Sequence, residues 1–86
     1  MQILPLIHYV YIVQCADNTF YTGYTTDLDK REHDHNKNKR GAKYTRGRRP
    51  VKLVYFEEFN YKGDALRRER EIKKMKRNRK MTLIYG

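Results

Sequence analysis

Glu69 falls in the middle of an apolar stripe. On a helix turning about 100° per residue, Ala65, Leu66, Ile72 and Met75 occupy one half of the surface, and Glu69 lies near the centre of that half. A buried carboxylate without a partner is costly, and three things relieve it: protonation, a cation such as an arginine at the edge of the core, or a metal ion. A second group stands on an earlier helical stretch, where Arg31 and His35 are four residues apart and share a face with Leu28. Two readings fit that face. Either a solvated helix is anchored by its one leucine with Arg31 ion-paired, or the face looks into a cleft where a guanidinium addresses phosphate and an imidazole handles a proton. His33 shares neither face and is expected at the surface. Tyr9, Tyr11, Tyr21 and Tyr24 form a third group, and tyrosines in strands ordinarily serve packing. Gly23 interrupts the second pair, as glycine does where a strand bulges or another group comes close.

Positioning these residues requires a small set of elements. Residues 9–15, rich in β-branched and aromatic side chains, read as a strand ending in the turn composition Ala16-Asp17-Asn18-Thr19. Residues 20–24 read as the return strand of a hairpin. Pairing Cys15 with Phe20 would put Tyr11 and Tyr21 on opposite faces, and a slip of one residue would unite them. Thr25, Thr26 and Asp27 offer acceptors for free helix N–H groups, so a nearly all-polar helix is expected from there to about Asn36. Residues 37–50, with Gly41, Gly47 and Pro50, read as a basic loop holding at most a short helical turn. Residues 51–59 read as a third strand. A second helix is expected from near Asp64 to about Arg79, with an apolar tail over residues 81–85 packing back on the core. The order β-β-α-loop-β-α favours an α+β layer structure, an antiparallel sheet covered by helices.

Composition narrows the partners. The 86 residues suffice for one domain, and 20 Lys and Arg against 10 Asp and Glu give a formal net charge of +10. Residues 27–49 hold nine basic against four acidic side chains and residues 62–80 hold ten against three, so these two segments carry more than the whole excess. Such blocks attract polyanions: nucleic acid first, then acidic membrane or an acidic protein. The apolar start of the chain, broken by Pro5, is far shorter than the ~20 residues that span a bilayer and lacks the basic opening of a signal peptide. The second helix is too polar at its end for a membrane-surface helix. The single Cys15 excludes an intrachain disulfide and a zinc knuckle and fits a reducing, cytoplasmic setting.

Tyr9-Val10-Tyr11, nine intervening residues, Tyr21-Thr22-Gly23, then TTDL and Arg-x-x-x-His on the following helix: this pattern resembles the GIY-YIG nuclease superfamily. The stretches YVYIVQC, FYTGYTTDL, GAKYTRGRRPVKLVY and ALRREREIKK resemble its small stand-alone bacterial members, the YhbQ-like group, over residues 8–80. The resemblance implies a three-stranded antiparallel sheet flanked by helices in a single domain. It makes Tyr11 and Tyr21 the signature tyrosines, Gly23 the signature glycine, Arg31 the helix arginine, His35 the histidine some members use and Glu69 the metal-binding glutamate. Tyr9 stands where the name motif has its first glycine and Thr22 where it has isoleucine. Glu32 sits where an apolar residue would help the helix pack.

The implied activity is divalent-metal-dependent hydrolysis of DNA phosphodiesters, linked to repair or recombination. Glu69 would hold one Mg²⁺ or Mn²⁺ largely through water and substrate oxygens. Arg31 would brace the scissile phosphate, Tyr11 would act as general base with Tyr21 orienting it, and His35 would relay the proton. Since a free phenol titrates near 10, Tyr11 would need acidifying by nearby cations. DNA, or RNA in its place, would be held by Lys39, Arg40, Lys43, Tyr44, Arg46, Arg48 and Arg49 in the loop, and by Lys73, Lys76 and Arg77 on the last helix. A protein partner or a homo-oligomer would supply selectivity. The rival expectation is a non-catalytic DNA- or RNA-binding module of the same fold, against which a carboxylate at the centre of an apolar stripe speaks.

Overall fold

A computed structural model describes residues 5–37 and 42–86. The elements are β1 (His8–Gln14), β2 (Phe20–Thr25), α1 (Leu28–Lys37), α2 (Lys43–Arg46), β3 (Lys52–Phe59), α3 (Lys62–Lys73) and α4 (Arg77–Tyr85). The strands form one antiparallel sheet in the order β2-β1-β3. This is the expected α+β arrangement.

The hairpin turn sets the register. Cys15 N–H donates to Thr19 O at 2.8 Å and Asn18 N–H to Cys15 O at 2.9 Å. The Asp17 carboxylate accepts from the Thr19 N–H and hydroxyl at 3.1 and 2.6 Å. Asn18 takes φ +69°, a conformation asparagine tolerates better than most residues. These bonds pair Gln14 with Phe20, and therefore Val13 with Tyr21 and Tyr11 with Gly23. Of the two registers open from sequence, this is the one that puts Tyr11 and Tyr21 on the same face.

Because β1 is central, both of its faces are covered. On one, Val10 and Ile12 pack with Ala65 and Ile72 of α3. On the other, Tyr11, Val13, Cys15 and Val51 pack with Leu28, Tyr21 and Leu53. The result is three layers, with α1 and α2 on the Tyr11 side and α3 and α4 on the Val10 side. Thr22, opposite Ile12, is buried on the Val10 side, and its hydroxyl has no hydrogen-bond partner among the described residues.

The nearly all-polar α1 docks through hydrogen bonds. Asp27 caps it, accepting the Lys30 N–H at 3.1 Å. The β1–β3 register shifts between Ile12 and Val13, leaving Val54 without a partner on β1. Beside this irregularity the Glu32 carboxylate accepts the Leu53 N–H at 2.6 Å. One turn on, the Asn36 amide donates to Val51 O at 3.0 Å and accepts the Val51 N–H at 2.7 Å. Glu32 therefore has a structural account that its position in the sequence did not supply: it satisfies backbone at the start of an edge strand.

The last helix needs correction. Expected to run to about Arg79, it stops at Lys73, and the presumed apolar tail is part of a separate helix, α4. An unbroken helix over residues 62–85 would be about 36 Å long, against strands of about 25 Å. Breaking after Lys73 lets Leu83 and Ile84 return to the cluster that Met75 also joins. Among the described residues no helix is long and apolar enough to cross a membrane.

Candidate active site

Tyr11 is the centre of the site. Its side chain is 1% exposed, and it lies across Gly23 on the neighbouring strand, so that a Cβ at position 23 would stand 2.6 Å from the Tyr11 Cζ. No residue with a side chain leaves the ring where it is. The phenol oxygen has two partners from α1: Arg31 Nε–H donates to it at 3.2 Å, and His35 Nε2 lies 2.7 Å away. Arg31 and His35 thus turn inward to the Tyr11 hydroxyl and not to solvent, the placement that the cleft reading of their shared helix face requires. His33 is exposed, as expected.

His35 is fully buried. Its Nδ1 lies 2.8 Å from Thr45 Oγ1, and the Tyr21 ring meets it edge-on at 5.4 Å. Burial first, then the charge of Arg31, holds the imidazole down at about 4, with Asp34 pulling the other way. It is neutral at pH 7. Burial pushes the Tyr11 phenol up to about 12; Arg31 opposes this, while Tyr21 and Glu69 add to it. The acidified phenol foreseen from sequence is therefore absent, and the Glu69 carboxylate is close enough to be felt at Tyr11.

Glu69 lies on α3 between the buried Ala65 and Ile72, its side chain 17% exposed. Its ion-pair partner is Lys73, at 3.4 Å and half exposed, not an arginine. The neighbouring Arg68 clamps α3 to β3. Arg68 donates to the two Glu57 carboxylate oxygens at 2.9 and 3.0 Å and to Glu71 at 2.8 Å, and the Tyr55 hydroxyl donates to Glu57 at 2.5 Å. Burial alone would raise the Glu57 carboxyl, but the bonds from Arg68 and Tyr55 outweigh it and hold the group below the usual carboxylate range.

The residues expected to hold nucleic acid divide. Lys43, Arg46 and Lys76 are exposed. Tyr44 is partly exposed but already stacks on Tyr21 at 5.9 Å, with the Arg48 guanidinium 4.0 Å from its ring centre. Arg48 also pairs with Asp17 at 3.0 Å, Arg49 donates to His35 O at 2.5 Å, Arg77 donates to Asn18 O at 2.6 Å and Lys73 is the partner of Glu69. Lys39 and Arg40 lie outside the described residues. Sequence reasoning missed Thr45, Glu57 and Arg68. Thr45 is a fully buried polar residue in a stretch that reads as loop, and no periodicity marks it.

A buried tyrosine shared by an arginine and a neutral histidine, opposite a strand glycine and near a helix glutamate, is one constellation on one sheet. The family model described as the GIY-YIG catalytic domain matches residues 7–82. The chain belongs to the GIY-YIG family. That superfamily consists in general of endonucleases, which puts the chain among nuclease-type domains. It is 57% identical over 76 residues to a UPF0213 protein of Haloquadratum walsbyi, covering 88% of this chain and 84% of that one. A UPF0213 protein of Staphylococcus haemolyticus is 57% identical over 77 residues, covering 90% and 93%. The solution NMR structure of a UPF0213 protein from Bacillus halodurans shares 49% identity and a TM-score of 0.59, covering 91% of this chain and 82% of that one. These small GIY-YIG proteins are the YhbQ-like group to which the sequence pattern pointed.

Proposed function

We propose that this GIY-YIG protein is a divalent-metal-dependent endonuclease that hydrolyses phosphodiester bonds in DNA. The observation that carries the reading is the Tyr11 hydroxyl held between Arg31 and His35, with Glu69 near enough for its charge to be felt there. A phenol oxygen donates one hydrogen bond and accepts two. With its proton directed to His35 and one acceptor position filled by Arg31, one lone pair remains for a water.

Burial pushes the Tyr11 phenol up to about 12, and this reading therefore moves the proton by a relay and not through a resident phenolate. Tyr11 takes a proton from the attacking water while it passes its own to His35, which is neutral and 2.7 Å away. The Arg31 guanidinium, one bond from the same oxygen, pairs with the incoming phosphate and thereby stops repelling the imidazolium that forms. Tyr21, whose hydroxyl has no partner among the described residues, would orient the water.

Among the described residues no three His, Cys, Asp or Glu groups converge into a cage. One largely buried carboxylate with a long bond to an exposed lysine fits a hard ion that keeps water and substrate oxygens as its other ligands. Mg²⁺ or Mn²⁺ held by Glu69 would relieve charge on the phosphoryl and leaving oxygens. The test is a cleavage panel of single strands, flaps, forks, nicked and intact duplex, with and without metal. Cleavage that needs metal and is lost in Glu69→Ala is the expected result; no cleavage of any substrate, or an active Glu69→Ala, overturns the reading.

A further inference from the structure

The relay requires a bare Nε2 on His35, and the Tyr11 hydroxyl cannot enforce that, since it donates and accepts equally well. The other ring nitrogen has to decide. Nδ1 has two polar neighbours: Thr45 Oγ1 at 2.8 Å and Ala42 N–H at 3.4 Å. They favour opposite tautomers. The amide can only donate, which calls for a bare Nδ1 and a proton on Nε2. The threonine hydroxyl has a second partner, Ala42 O at 2.9 Å, to which it can give its single proton while its oxygen accepts from Nδ1–H.

Counting donors separates the two. With the proton on Nδ1, every buried donor is used: Nδ1–H to Thr45, the Thr45 hydroxyl to Ala42 O, the Tyr11 hydroxyl to Nε2 and Arg31 Nε–H to Tyr11. With the proton on Nε2, the Thr45 hydroxyl either gives up Ala42 O to donate to Nδ1, where the Ala42 N–H also points, or keeps it and faces a bare Nδ1 with its own lone pair at 2.8 Å. The Tyr11 hydroxyl, on a residue 1% exposed, then has no acceptor among the described residues and is left with the incoming water alone. Leaving a buried hydroxyl without a protein acceptor makes this the costlier arrangement. The Ala42 amide at 3.4 Å is too long to offset that, and Ala42 is partly exposed, so water can take its N–H.

We infer that Thr45 is a positioning residue that fixes His35 in the Nδ1–H tautomer, leaving Nε2 as the acceptor for the Tyr11 proton. The catalytic consequence rests on the hydrolase reading; the tautomer itself does not. Long-range ¹H–¹⁵N NMR of the histidine rings tests it directly. The wild type and Thr45→Ser should show His35 protonated on Nδ1 and bare on Nε2, and Thr45→Val should move the proton to Nε2. In cleavage, Thr45→Val should lower kcat by about 100-fold, the low end of what a general acid–base group contributes, with KM little changed, and Thr45→Ser should stay within a few-fold of wild type. A wild-type ring protonated on Nε2, or a Thr45→Val protein with unchanged tautomer and kcat, overturns the inference. If Thr45→Val does not fold, the wild-type and Thr45→Ser spectra still decide. A wild type that cleaves nothing counts against the hydrolase reading alone, because the ring nitrogens report without substrate.

Discussion

Adjacent residues on β2 carry opposite predictions. Gly23→Ala puts a methyl group where the Tyr11 ring lies, so the ring must move and its bonds to Arg31 and His35 move with it. Overpacking of this kind costs about 1–3 kcal/mol, and urea unfolding should show it together with loss of most cleavage. Thr22→Val, one position earlier and on the opposite face, removes a buried hydroxyl that has no partner among the described residues. It should stabilise the protein by about 1 kcal/mol and leave cleavage unchanged, an outcome read from the urea midpoint. His35 sets a third expectation. Its folded pKa of about 4 lies below the ordinary 6.5, so between those values the unfolded chain binds the proton and the folded chain refuses it. Its contribution is fully present above about pH 6.5 and is lost as pH falls towards 4, on the order of 3 kcal/mol. Unfolding free energies at neutral and at acid pH should differ accordingly, and His35→Gln should remove most of that slope.

At the scale of elements, the aim of Glu69 depends on how α3 is fastened to β3. Arg68 and Glu57 are each about a quarter exposed and joined by two hydrogen bonds. Glu57→Gln keeps one acceptor for Arg68 but removes the second bond and the charge, and the clamp between the helix and the edge strand is weakened. The expected cost is about 1–2 kcal/mol, between a surface pair and a fully buried one. Cleavage should fall while DNA affinity holds, since neither residue is placed to touch substrate; equal loss of both would refute the positioning role. The same elements show how far the sequence could be read. The hairpin, α1 with its Asp27 cap, and Glu69 on an otherwise apolar face follow from local pattern, because strand alternation, capping and helical period act within a few residues. Thr45 and Glu57 do not: each works through a partner ten or eleven positions away, on a different element. The register of Tyr11 and Tyr21 hung on the bonds of a five-residue turn that composition marks only as a turn. The break after Lys73 answers to the length of the sheet, and α1 docks by hydrogen bonds to backbone, for which hydropathy has no signal.

For the whole molecule, the net charge of +10 does not translate directly into DNA contacts. Arg31, Arg48, Arg49, Arg68 and Arg77 are each bonded within the protein. The exposed cations Lys43, Arg46, Lys74, Lys76 and Arg79 form no ion pair among the described residues. They lie on both helical layers: the first two belong to α2, and the others lie at the end of α3 and the start of α4. Counterion release ties affinity to the number of phosphates neutralised, and about six contacts correspond to a loss of about 1,000-fold between roughly 50 and 200 mM salt. Binding measured on the Glu69→Ala protein, so that substrate survives, should show a dependence of that size. The two kinds of cation should then separate. Arg46→Ala should weaken binding and lower the slope of log affinity against log salt by about one. Arg48→Ala breaks the pair with Asp17 and the contact with Tyr44, and so should lower the urea midpoint more than the slope. An affinity that barely changes with salt, or an Arg48→Ala protein that loses slope at unchanged stability, would mean that the internal bonds do not withhold these arginines from the nucleic acid and that the excess charge acts as one undivided surface.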